Sequence, residues 1–237
     1  MNVCRIQLNS LRTLFFLSVF SVVCWVGVPS IFAMPILLPT GLNPGDTYQL
    51  TFFTREARNA VSTDISDYNA FVQGAADLAG IGLGSPLGDV TWNAIASTET
   101  VSALDNAVVS TRVYDLGDNL VASGFADMWD GSLQTPINFN ELGTNQGGGL
   151  TWTGTAIDGT QASALGTSTP TVGIQGLSNE FWIDRATNPS SGSNPFYALS
   201  EPLSVGQTPV PVPSSILLFG SGLAGLVGWR WWKGPLA

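Results

Sequence analysis

The sequence predicts an α+β domain with one main helix and many short strands, on three observations. A single window, Ile65 to Ala79, repeats apolar residues at helical spacing. The segment before it, Thr47 to Thr54, alternates in character as a strand does. Beyond Gly80, short β-branched and aromatic runs are separated by glycine-rich turns. A helix near the start followed by many strands reads as α+β. The alternative is an all-β sandwich, because the helix rests on one window.

Each element has a local reason. After the lead-in Pro35-Ile36-Leu37-Leu38-Pro39, the run Thr47-Tyr48-Gln49-Leu50-Thr51-Phe52-Phe53-Thr54 suits a strand. In the helix, Ile65, Tyr68, Phe71, Val72, Ala75, Ala76 and Ala79 follow at helical spacing. Thr63 or Asp64 can cap its first free amides, and Gly80 and Gly82 end it. Further strands are expected at 90–96, 108–114, 120–122, 150–155, 180–183 and 196–199. Trp92 and Trp152 share a Thr-Trp context, but two instances make no repeat.

The ends differ from this middle. Arg5 and Arg12 precede an apolar run, Leu14 to Val26, of secretory length, and Ser30-Ile31-Phe32-Ala33 follows. Residues 1–33 therefore read as a signal peptide for the Sec translocon, cut by signal peptidase between Ala33 and Met34; an uncleaved anchor is the alternative. At the other end Val210-Pro211-Val212-Pro213-Ser214 precedes the apolar run Ile216 to Trp229, with Arg230 and Lys233 beyond it. A transmembrane helix is expected over 216–232, and cations at both ends hold both termini on the cytoplasmic side.

This tail, residues 210–237, resembles the PEP-CTERM sorting tails of Gram-negative bacteria, with Val212 where their acid usually stands. The resemblance implies an exosortase-like membrane protease cutting near Pro211 to Ser214. It also implies transient anchoring, then release to the cell surface or the exopolysaccharide matrix of a biofilm. A retained anchor is the alternative.

The exported middle, 34–209, is strongly acidic. All 17 acids lie in it against four cations, Arg55, Arg58, Arg112 and Arg185, a formal charge of −13. Such a surface repels nucleic acid, so no nucleic-acid partner is expected. The only cysteines, Cys4 and Cys24, lie in the leader, and histidine is absent. Serine–histidine and cysteine–histidine triads are therefore excluded, and zinc loses its usual ligands.

Carboxylate chemistry stays open. Asp127, Asp130, Glu180 and Asp184 stand near aromatics and could supply a glycosidase pair. Asp115, Asp118, Asp127 and Asp130 are the candidates for calcium, the one cofactor allowed for, although no Asp-x-Asp-x-Asp-Gly loop is present. Of Trp92, Trp129, Trp152 and Trp182, most are expected in the core. Trp129, among polar residues and glycine, is expected to be the most exposed and the candidate glycan contact.

A second resemblance covers residues 47 to 203. Trp92-Asn93-Ala94-Ile95-Ala96, Tyr114-Asp115-Leu116-Gly117-Asp118, Thr151-Trp152-Thr153-Gly154-Thr155 with Asp158-Gly159-Thr160, then Gly173 and Trp182, are similar to a bacterial exported family with an endostatin-like domain. That family is related to the C-type-lectin-like fold, and the resemblance implies that fold here. The expectation is a non-enzymatic surface or matrix protein without catalytic residues, in a structural or glycan-associated role. A carbohydrate-active enzyme using a carboxylate pair and a glycan-binding adhesin are the alternatives.

Overall fold

The computed structural model describes residues 37–206. The leader with its Ala33–Met34 cleavage site and the tail with Val210 to Ser214 and the helix over 216–232 lie outside the described residues. In chain order the elements begin β1 (Thr47–Phe53), α1 (Ile65–Leu78), β2 (Trp92–Ala94), α2 (Ala103–Asn106), β3 (Arg112–Asp115), β4 (Leu120–Ala122) and α3 (Phe125–Met128). There follow β5 (Leu150–Trp152), β6 (Thr171–Ile174), the 3-10 turn Glu180–Trp182, β7 (Ala186–Thr187), β8 (Tyr197–Ser200) and β9 (Leu203–Ser204). The result is a mixed, sheet-rich domain with few helices.

β1 is the centre of the larger sheet, ordered β2-β8-β1-β3-β4, with β9 also paired to β1. It runs parallel to β3 and antiparallel to β8. Its alternation is real, yet both faces are buried. Tyr48, Leu50 and Phe52 join a core with Tyr68, Val72 and Ala76 of α1. On the opposite face Phe53 joins a second core with Val113, Tyr197, Leu199 and Trp182.

The polar residues on that second face are satisfied internally. Gln49 donates through Nε2 to the carbonyls of Val108 (3.0 Å) and Ser200 (2.8 Å), and accepts at Oε1 from the Ser110 amide. Thr51 Oγ1 donates to the Ala198 carbonyl. Burial of polar atoms requires such partners. The Gln49 side chain also corrects the strand expected from 108: it takes the ladder's place beside 108–110, and β3 starts at Arg112.

α1 forms where expected, capped by Asp64, whose carboxylate accepts from the Ser66 amide. At its end Gly80, at φ +74°, sends its amide to the Asp77 carbonyl, and the Ile81 amide reaches back to Ala76. This is the six-to-one and five-to-two closure that a left-handed glycine permits. Two amide side chains one turn apart then finish the sheet: Gln73 Oε1 accepts from Trp92 N and Asn69 Oδ1 from Ala94 N. The outer edge of β2 is thereby occupied by the helix instead of being open to another strand.

The second sheet, β5-β6-β7, contains three strands, of which the sequence suggested only β5. The strand expected at 180–183 is instead a 3-10 turn, because Asn179 Oδ1 accepts from the Phe181 amide and starts a helical turn. The segment expected over 150–155 ends as a strand at Trp152; Gly154, at φ +63°, turns the chain. Among the described residues no helix is long and apolar enough to cross a membrane.

Candidate functional site

Of the four aspartates considered for calcium, three are held by nearby residues in the chain and Asp118 by a distant one. Asp115 is fully buried and accepts from the amides of Gly117 and Asn119 and from Asn119 Nδ2. Asp118, at φ +70°, accepts from Thr40 N (2.8 Å) and Thr40 Oγ1 (2.7 Å). Asp127 takes Ser123 N and Gln134 Nε2, and Asp130 takes Ser132 N and Oγ. Among the described residues no group of three or more acids, cysteines or histidines is placed to hold a metal ion. These carboxylates act as internal clasps; Asp115 and Asp118 lie close enough to interact, but no three of the four come together.

Trp129 corrects an expectation. It is 7% exposed, packed 6.1 Å from Trp182 between ring centres, and covered by the loop at Gly159, where any Cβ would press on Leu104 and the indole. A stacking platform needs an open ring face, and this one is closed. Its surroundings in sequence are polar, but the fold places it in one core with Met128 and Leu133, and Leu104 packs against that core. Trp92, Trp152 and Trp182 are core residues as expected, each at most 1% exposed.

Among the carboxylates suggested for a glycosidase pair, Asp127 is held below the usual range by its bonds from the Ser123 amide and Gln134. Asp184 is pushed up by burial. The acid that sequence reasoning missed is Glu141, 6% exposed, which accepts from the Arg55 amide at 2.7 Å. Burial pushes its carboxyl up, and the amide and charge of Arg55 pull partly back.

Glu141 stands beside a mostly apolar groove of about 530 Å³ along the outer face of α1. Phe71, Gly74 and Leu78 line it from the helix, Leu142 from the facing loop, and Arg55 and Glu56 from its rim. Leu78 is 93% exposed. Two signals for this site were readable: Gly74 interrupts the best helical window, and Leu78 falls outside its apolar set. Chemically the groove suits an apolar side chain flanked by charges of both signs.

The buried acids give the domain a pH dependence. Burial raises Asp115 and Glu141, so each binds its proton more tightly folded than unfolded. A raised carboxyl favours the fold below its folded pKa, and that stability is lost as pH rises from about 4 through the raised value. Growing negative charge acts in the same direction. The lowered groups Asp64, Asp127 and Asp158 oppose this only under acid, where their stabilisation is lost as pH falls through their folded values. The melting temperature is expected to be higher at pH 5 than at pH 7 and to fall again near pH 3. Calorimetry across that range checks it, and Glu141→Gln is expected to flatten the upper limb.

No curated protein matches this chain. Residues 209–233 match the model of the PEP-CTERM protein-sorting motif, which covers the Pro-Val-Pro segment, the apolar run and the basic residues after it. That motif indicates an exported protein with a C-terminal membrane-anchored sorting signal, processed by an exosortase-type membrane protease.

Proposed function

We propose that the exported domain is a non-enzymatic component of the cell surface or extracellular matrix of a Gram-negative bacterium, in a structural or glycan-associated role within exopolysaccharide. The sorting motif at 209–233 carries this reading, because it supplies the address. Two further observations support it. Asp115, Asp118, Asp127 and Asp130 are each taken up by internal hydrogen bonds, and the chain has no histidine. We further propose that the sheet-rich domain has the endostatin-like, C-type-lectin-like fold to which residues 47 to 203 are similar.

Intact mass of the protein recovered from the cell surface tests the address. The expected species runs from Met34 to near Pro213. Recovery of Trp232 and Lys233 in the mature protein would overturn sorting and cleavage. The role is tested by incubating the mature protein with the host exopolysaccharide. Co-sedimentation without shortening of the polymer is expected. Hydrolysis that disappears on changing any one of Asp127, Asp130, Glu180 or Asp184 would establish a carbohydrate-active enzyme instead.

A further inference from the structure

We propose that the α1 groove is the seat of a two-fold homodimer, in which Leu78 of each copy enters the space above Gly74 of the other. Gly74 sits inside a 14-residue helix, where glycine costs about 1 kcal/mol relative to alanine. A Cβ built on it meets nothing within 4 Å. Nothing within the described domain requires glycine there. What its missing side chain provides is the floor of the groove, between Phe71 and Leu142.

Leu78 lies one turn further along the same face, 93% exposed where a leucine of that exposure gains nothing from the fold. Knob and hole therefore sit side by side on one helix. An isologous contact needs this, because a two-fold axis brings the same patch against itself. The rim is self-complementary as well. Arg55 and Glu56 are both exposed there, so a two-fold approach can set the cation of each copy against the acid of the other.

Other partners fit less well. An anionic polymer would meet Glu56 and Glu141, and a neutral glycan would find few polar groups on an apolar floor. The charge of the domain as a whole opposes association of copies. Dimerisation is therefore expected to strengthen as salt screens that long-range repulsion, while the apolar contact persists.

The test uses the full chain in an exporting host, with a cysteine added at Ala70 on the groove and, separately, at exposed Ser123 after β4. A short bismaleimide is expected to link the Ala70→Cys chain as a dimer. The Ser123→Cys chain and the parent, with Cys4 and Cys24 alone, are expected to remain unlinked. Adding Leu78→Asp or Gly74→Arg to Ala70→Cys is expected to cut the linked fraction about tenfold or more, the scale of losing a central anchor. Leu78→Asp alters a side chain open to solvent, so it reads the interface even if Gly74→Arg disturbs the fold. Equal linking at Ser123, no linking at Ala70, a dimer unaffected by Leu78→Asp, or a product carrying the mass of a different partner would each overturn the proposal.

Discussion

Replacing Trp152 by alanine is expected to lower the unfolding free energy by about 4 kcal/mol, within the range for deleting a buried tryptophan. The ring is fully buried in the core beneath α1. Its amide donates to the Pro195 carbonyl and its indole N–H to the Arg58 carbonyl, each at 2.9 Å. Trp152 also bridges to Phe196, so one residue ties the smaller sheet to the chain entering β8 and to the segment after β1. Alanine would leave a cavity and leave the Arg58 carbonyl with the Asn194 amide alone as its donor. Trp152→Phe retains most of the volume and is expected to cost less, with the lost hydrogen bond accounting for about 1 kcal/mol of it. Urea unfolding of the two variants separates volume from hydrogen bonding, and a Trp152→Phe variant as stable as the parent would show that the indole N–H contributes nothing.

Gly173→Ala is expected to cost about 3 kcal/mol, the upper part of the range for overpacking, because backbone rather than a movable side chain occupies the space. A Cβ at Gly173 would strike the carbonyl oxygen of Trp182, with its carbon at 2.6 Å and Ile183 Cα at 3.0 Å. Gly173 faces Thr151 across the β5–β6 ladder, and the 3-10 turn crosses directly over it. Displacing that turn moves Trp182, which packs on Trp129 and Tyr197. A red shift of tryptophan emission is therefore expected with the loss of stability. An alanine variant as stable as the parent would mean that the turn can lift away from β6.

The helix and its caps were legible because their signals are local. Apolar spacing over 65–79, Asp64 before it and Gly80 after it need no distant partner. The 3-10 turn at Glu180 was misread as a strand because a tryptophan and an isoleucine outweigh, in a short window, the single amide of Asn179. Strands β6, β7 and β9 were missed for the opposite reason. They are two to four residues long and exist only because β5, β6 and β1 offer them a ladder.

The candidate sites divide along the same line. Sequence alone established the sorting address, which is read as a linear string by membrane machinery and so must be written in one stretch. It also determined the acidic, histidine-free character of the exported domain, which is a matter of counting. Tertiary structure decided where each chemically interesting side chain went. Trp129 is closed over by residues brought from Leu104 and Gly159, and Asp115, Asp118, Asp127 and Asp130 are taken up by internal hydrogen bonds whose geometry no spacing reveals. The groove above Gly74 exists only because the loop at Glu141 and Leu142 returns alongside α1. Exposure and proximity are properties of pairs far apart in the chain, and the fold alone sets them.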